Sequence, residues 1–498
     1  MQKILVANRG EIAMRVMRTA KEMGIKTVAV FSEADRGMPF VRYADEAVCI
    51  GPAPSSQSYL RADKIIEVAK QLGADAIHPG YGFLSENAAF SGSVTNAGLI
   101  FIGPSAHSIE IMGSKIAAKQ AAKKFNVPMV PGTDEPVKEL AEAKKIASRT
   151  GYPVLIKASA GGGGKGMRVV NNEAELEQQM NMAKSEALSA FGDDDVFIEK
   201  YVAAPKHIEI QLMGDQHGNY AYLFERECSI QRRHQKLIEE APSSCLSPAI
   251  RKAMGECAVA VARSCNYYGA GTVEFLVDEN LDFYFLEMNT RLQVEHCVTE
   301  MITGIDLVKE QINVARGNKL SFTQDDLKIN GHAIELRVCA EDPMNNFLPD
   351  TGRLNMYQPP KGPGVRVDDA YEEGMDIPIY YDPMIAKLIA YAATRDEAID
   401  RLRRAIDEYY VQGIQTTLRF GKWAVNTEPF RTGKFDTKFI ENYYKPEYLL
   451  ENDPQAAEVA SLLSSYIWEK EKKQNLAPVS TNSQTSKWKA NRGYLQKK

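Results

Sequence analysis

The first hundred residues alternate short apolar runs with amphipathic stretches, and this alternation constrains the fold more than any other feature. Residues 4–7 read as a strand, 10–23 as a helix with Ile12, Val16 and Met23 on one side, and 27–31 as a second strand. Residues 75–78 and 99–102 read as further buried strands, stopped by Pro79 and Gly103. Strands separated by helices imply a parallel sheet, because parallel neighbours need a helix-length crossover. The fold class is therefore α/β. The turn Asn8-Arg9-Gly10 falls where a doubly wound sheet places ligands, but it lacks the full G-x-G-x-x-G pattern and reads as a structural turn.

At 498 residues the chain suggests about three domains. Hydrophobic residues make up 44% and charged residues 25%, which is ordinary for a protein with sizeable cores. A formal net charge of -5 gives no reason to expect nucleic-acid binding. Seven scattered cysteines without a Cys-x-x-Cys pair argue against a disulfide framework or structural zinc and fit a reducing cytoplasm. The strand-like opening predicts no signal peptide, and no apolar run is long enough to predict a membrane span.

The unusual features lie between residues 114 and 327. Tyr152-Pro-Val-Leu-Ile-Lys157 reads as a strand delivering a lysine, followed by Ala158-Ser-Ala160 and Gly161-Gly-Gly-Gly164-Lys165-Gly166. A loop almost free of Cβ atoms lets backbone N–H groups crowd around phosphate oxygens, and the lysines add charge. The pattern is not a Walker loop, and a plain flexible linker would not follow a lysine-bearing apolar strand.

Residues 271–277 and 283–288 read as a hairpin around Asp278-Glu-Asn280. Glu287 and Asn289 share one strand face, and Glu274 on the partner strand can converge with them. Two carboxylates and an amide oxygen suit Mg²⁺ beside ATP phosphates, although a solvated polar face has the same periodicity. In Arg291-Leu-Gln293-Val-Glu295-His296, an extended backbone would put Arg291, Gln293 and Glu295 on one side. An arginine and an amide suit a small planar oxyanion, and a nearby carboxylate suits a general base. The charge-dense run 225–236 has the look of a solvated face, with Cys228 structural rather than nucleophilic.

Taken in order, these segments resemble the biotin carboxylases of the ATP-grasp superfamily. The resemblance runs from Lys3 to about Tyr448, through Ala7-Asn-Arg-Gly-Glu-Ile12, His78-Pro-Gly-Tyr-Gly-Phe-Leu-Ser-Glu-Asn87, the glycine loop, 231–240 and 287–295. It implies an N-terminal Rossmann-like domain over 1–113, an ATP-grasp domain over 114–330 and an α+β C-terminal domain over 331–448. A mobile glycine-rich lid would span about 131–202, and 449–498 would form an extension.

By that resemblance, Lys115 and Lys157 hold ATP phosphates, and Gly163 and Gly164 close over them. Glu199, Lys200 and Val202 form the adenine-side segment, with His207, Gln231 and His234 near the nucleotide. Glu274, Glu287 and Asn289 are metal ligands for Mg²⁺ or Mn²⁺. Lys236, Arg291, Gln293 and Val294 form the bicarbonate pocket, Glu295 deprotonates bicarbonate, and Arg337 stabilises the biotin enolate. The implied activity is that of an ADP-forming carbon–nitrogen ligase: ATP converts bicarbonate to carboxyphosphate, whose CO₂ is captured by biotin. Other ATP-grasp ligases would share Lys115, Lys157, Glu274 and Glu287, but have no need for Arg291, Gln293, Glu295 and Arg337 together. An inactive scaffold subunit would be expected to have lost one of the metal carboxylates or phosphate lysines.

The resemblance also implies a homodimer within a larger complex. Without an Ala-Met-Lys-Met sequence or transferase region, the chain reads as a free-standing subunit with a separate biotin carboxyl carrier protein and carboxyltransferase. Cys297 replaces the usual proline, and Pro363 stands where some relatives carry an aromatic at the dimer contact. Residues 456–469 read as an amphipathic helix and 475–486 as a disordered tail, with 456–498 a candidate docking segment. That extension favours an acyl-CoA (acetyl or propionyl) carboxylase, with pyruvate carboxylase as the alternative.

Overall fold

A computed structural model of the chain describes all residues except 134, 159–166, 192–193, 234, 451–453 and 476–498. The N-terminal alternation becomes a five-stranded parallel sheet ordered Glu46–Gly51, Lys26–Ser32, Lys3–Val6, Ala76–His78, Ile100–Phe101. The helix Gly10–Glu22 follows the first strand and is buried along most of its length. The turn before it is structural, as its incomplete pattern predicts. Asn8 donates to the Pro79 and Tyr81 carbonyls at 2.7 Å each, and Arg9 forms a bidentate pair with buried Asp35. Gly80 has φ +64°, and a Cβ there would lie 2.8 Å from the Asn8 amide nitrogen, so this close approach requires glycine.

The second sheet has eight antiparallel strands: Phe283–Asn289, Gly269–Val277, Lys206–Gly214, Tyr220–Arg232, Gln235–Ala241, His332–Cys339, Met384–Ala392 and Val365–Asp369 in spatial order. The hairpin forms as expected, two residues longer at the start of its first strand and one longer at the end of its second. The charged run does not form a solvated face: Glu225, Arg226, Glu227 and Cys228 are buried in a sheet strand. Sheet pairing and long-range ion pairs outweigh the local charge density that suggested solvent.

A smaller sheet, Met167–Val170, Val154–Ala158 and Val196–Lys200, packs with the helices Leu140–Thr150 and Glu173–Phe191. It has its own core, including Ala143, Ala147, Ile156, Val170, Leu176 and Ile198. A larger core joins the first helix to the C-terminal strands, uniting Ile12 and Val16 with Leu336 and Leu388. The architecture is the mixed α/β arrangement expected: a parallel N-terminal sheet, with antiparallel sheets elsewhere.

The chain divides into two compact units, Met1–Leu449 and Leu450–Lys498. The second contains the helix Pro454–Asn475, which includes the expected 456–469 segment. Of residues 475–486, expected to be disordered, Asn475 ends this helix and the rest lie outside the described residues. Among those described, no helix is long and apolar enough to cross a membrane.

Candidate active site

Strand register assembles the site. Glu287 lies opposite Glu274, Glu274 opposite Glu209, and Glu209 opposite Arg226. Residues opposite one another on neighbouring strands share a face, so three carboxylates and a guanidinium run in a row across four strands. Arg226 is fully buried and closes the row, donating to Glu209 at 2.5 Å, Gln211 at 2.7 Å, Thr299 at 3.0 Å and Thr272 at 3.1 Å.

Lys236, from Gln235–Ala241, points into this row. Its ammonium lies 2.5 Å from Glu209, 2.7 Å from Glu295, 3.0 Å from Glu274 and 3.4 Å from the Gln293 side-chain oxygen. Burial opposes its charge, but Glu209, Glu274 and Glu295 outweigh that and hold Lys236 well above the usual lysine range. Burial likewise opposes ionisation of Glu295, yet Lys236, Arg337 and Arg226 together hold it well below the carboxylate range. Arg337 donates to the other Glu295 oxygen at 2.9 Å and to Glu239 at 2.6 Å. Glu239 is pushed up to about 7, by burial first, with Arg337 only partly offsetting it.

At Glu274, expected as a metal ligand, burial is again overcome, by Lys236 and His207, so this carboxylate stays well below its ordinary range. His207 Nε2 stands 2.9 Å from Glu274 at ion-pair distance, without hydrogen-bond alignment. Asn289 donates to Glu274 at 2.8 Å, while its oxygen accepts from Arg291 at 3.2 Å. A cavity of about 240 Å³ opens alongside, lined by Glu86, Met112, Gly113, Glu287, Asn289 and Thr290. Glu274 and Glu287 are cross-strand partners with Asn289 beside them, a set of hard oxygen donors whose chemistry fits a divalent cation once Lys236 and Arg291 release Glu274 and the Asn289 oxygen. His207, Glu209 and Glu274 form another close trio, but Lys236 and Arg226 already neutralise it.

The expectation that Arg291, Gln293 and Glu295 share one side is corrected. Glu295 has φ -79° and ψ 12° and begins the helix His296–Thr303, so the backbone is not extended. Gln293 and Glu295 reach Lys236, while Arg291 turns to Glu86, at 2.8 Å. Val294 sits between them in the turn.

Of the residues expected at the nucleotide, Lys157, Glu199 and Lys200 lie on the small sheet and Val202 just beyond it, whereas His207 and Gln231 lie on the large sheet. Lys157 is 3.7 Å from Glu199, whose other oxygen accepts from Lys119 at 2.5 Å. Lys200 lies 3.8 Å from Asp278, and Val202 follows two residues later. Gln231 pairs in register with Lys236. Lys115 begins the helix Lys115–Lys123. Gly163, Gly164 and His234 lie outside the described residues.

Family models match in three consecutive blocks: the biotin carboxylase N-terminal domain over 1–109, the ATP-binding domain of the carbamoyl-phosphate synthase L chain over 114–323, and the biotin carboxylase C-terminal domain over 335–442. A pyruvate carboxylase subunit from Methanothermobacter thermautotrophicus is 56% identical over 441 residues, covering 89% of this chain and 90% of the relative. The chain belongs to the biotin carboxylase family. Biotin carboxylase 1 of Bacillus subtilis is 52% identical over 443 residues, covering 89% of this chain and 98% of the relative. The alpha chain of human mitochondrial propionyl-CoA carboxylase is 55% identical over 444 residues, and this chain spans 61% of its length. The biotin carboxylase domain of Hydrogenobacter thermophilus 2-oxoglutarate carboxylase, solved as a dimer with MgADP, ADP and bicarbonate, superposes with TM-score 0.82 at 48% identity, covering 91% of this chain and 99% of that one. As a biotin carboxylase, the chain is an ATP-dependent ligase.

Sequence reasoning missed Glu86, Glu209, Arg226 and Glu239, which complete the charge balance around this biotin carboxylase site. Glu209 carried a signal: it stands between Ile208 and Ile210 in a strand buried on both faces, where a carboxylate needs a partner.

Proposed function

We propose that this chain carboxylates biotin on a separate biotin carboxyl carrier protein, using ATP and bicarbonate and releasing ADP. The observation that carries this reading is the convergence of Glu209, Glu274, Gln293 and Glu295 on Lys236, with Arg337 on the far side of Glu295. Bicarbonate, an anion, competes with these carboxylates for Lys236 and Arg291. Drawing Lys236 away from Glu295 removes the charge that depresses that carboxylate, and Glu295 becomes basic enough to accept the bicarbonate proton. Lys115 and Lys157, with Gly163 and Gly164, hold the ATP phosphates. Glu199, Lys200, Val202, His207 and Gln231, with His234, border the nucleotide. Glu274, Glu287 and Asn289 would hold Mg²⁺, which supplies charge neutralisation to the phosphoryl group when bound. Arg337 presents its guanidinium to the developing enolate oxygen of biotin, an electrostatic role that Glu239 and Glu295 orient.

The proposed domains are 1–113, 114–330 with a mobile lid at about 131–202, 331–448, and the extension 449–498. We assign the carboxyl acceptor to a partner carboxyltransferase within a complex containing a homodimer of this chain, in the cytoplasm. The extension supports an acyl-CoA carboxylase, with acetyl-CoA or propionyl-CoA as acceptor. Pyruvate is the second reading, favoured by the Methanothermobacter pyruvate carboxylase relative, 90% of whose length this chain covers.

The test is ATP hydrolysis by the purified chain in Mg²⁺ and bicarbonate, with and without free biotin. Biotin-stimulated ADP release matched by labelled carboxybiotin supports the reading; hydrolysis indifferent to biotin refutes it. Adding carrier and transferase with each acceptor in turn then decides between acyl-CoA and pyruvate.

A further inference from the structure

Lys387 is the single charged residue in the strand Met384–Ala392, and its side chain is fully buried. A buried ammonium is costly unless it is paired and hydrogen-bonded. Its Nζ donates to the Val294 carbonyl at 3.0 Å and lies 3.2 Å from Cys297 Sγ, 3.3 Å from Glu11 and 3.8 Å from Asp368. Glu11 belongs to the first helix and Asp368 to the last strand of the large sheet, so one ammonium ties together three distant stretches of chain.

The carbonyl it engages belongs to the turn between Arg291 and Glu295. One peptide earlier, the Gln293 carbonyl accepts from the His296 backbone N–H at 3.4 Å and faces His296 Nδ1 at 2.8 Å. His296 is buried and neutral, so Nδ1 carries the proton that this carbonyl accepts. A trans peptide points its N–H opposite its C=O. Both carbonyls are drawn back to His296 and Lys387, and the Val294 N–H has no protein acceptor among the described residues. Val294 is partly exposed, so with both carbonyls anchored behind the turn its N–H is open to an acceptor from a ligand. His296, Cys297 and Glu300 cluster closely enough to suggest a metal, but Lys387, Arg366 and Arg15 already supply the positive charge there.

We infer that Lys387 is a positioning residue for bicarbonate: it holds the Val294 carbonyl from behind, as His296 holds that of Gln293, so that the turn keeps the Val294 N–H and the Glu295 carboxylate toward the anion. The inference rests on the assignment of residues 291–295 as the bicarbonate pocket.

The test varies bicarbonate and ATP separately in steady-state ATP hydrolysis with Mg²⁺ and free biotin, comparing Lys387→Met with the unmodified chain. The expected result is a bicarbonate KM raised at least tenfold, with the ATP KM within twofold. The double variant Lys387→Met/Glu11→Gln, which removes the charge and one counter-charge together, should show the same split if the single variant does not fold. An unchanged bicarbonate KM in a folded variant, equal rises in both KM values, or failure of both variants to fold would overturn the inference. Arg291→Ala and Gln293→Ala are measured alongside: if neither raises the bicarbonate KM, the pocket assignment itself fails, independently of Lys387.

Discussion

A single ammonium at Lys236 neutralises carboxylates that would otherwise repel one another in a dry interior. Arg337 does the same for Glu239 and Glu295, so its removal would have effects beyond the loss of the proposed enolate contact. Arg337→Ala should lower carboxylation of free biotin by about a hundredfold or more, the scale of losing one transition-state donor. ATP binding, measured by titration, should change less than twofold, since among the described residues the Arg337 guanidinium bonds only Glu239 and Glu295. Equal loss of both would contradict the assigned role. On the proposed assignment of Glu274 and Glu287 to the cation, Glu274→Gln should weaken the apparent Mg²⁺ affinity at least tenfold in Mg²⁺-dependent ATP hydrolysis, since it removes one of two anionic donors. An unchanged Mg²⁺ requirement would place the cation elsewhere. The residues easiest to read from sequence were those grouped in short motifs, such as Arg291 to Glu295. Glu239 and Lys387 were hidden because their partners lie 98 and 93 residues away, although a lone lysine inside an apolar nine-residue strand is a visible anomaly.

Between elements, the contact that most clearly couples pH to stability is Glu240. It ends the strand Gln235–Ala241, pairs with His332 at 2.8 Å and receives Arg395 at 2.7 and 3.0 Å. Arg395 also donates to the Phe430 and Arg431 carbonyls, so this carboxylate fastens a strand to two helices. Burial opposes its charge, but His332 and Arg395 outweigh it and lower Glu240 from 4.5 to about 2. A depressed carboxylate contributes its full stability above its unfolded value and loses it as pH falls through the folded one. The window is therefore pH 4.5 to 2, and the contribution is on the order of 3 kcal/mol. Urea unfolding across that window should show a shallower loss of stability in Glu240→Gln than in the unmodified chain. Parallel curves would assign acid sensitivity to other groups. Element types were legible where one periodicity dominated, as in the N-terminal alternation and the 271–288 hairpin. The run 225–236 was misleading because burial of its charges depends on neighbouring strands that local sequence does not reveal.

Across the whole molecule, the unit Met1–Leu449 contains every described residue assigned to chemistry, whereas Leu450–Lys498 contributes none. The helix Pro454–Asn475 presents Val459, Leu462, Leu463, Tyr466 and Ile467, each more than half exposed. A chain ending at Leu449 should carboxylate free biotin at a rate within twofold of the full chain, yet lose co-purification with its carrier and transferase. Unchanged assembly would end the proposal that residues 456–498 dock a partner. The large sheet sets a different limit. Gln235–Ala241 and His332–Cys339 pair directly across what the sequence reads as a boundary between regions. Exchanging C-terminal segments among relatives would therefore graft half of a hydrogen-bonded ladder onto a foreign edge. Recombination within this family should succeed when the cut spares that seam and fail when it does not, so the heritable module is the whole sheet rather than either side of it.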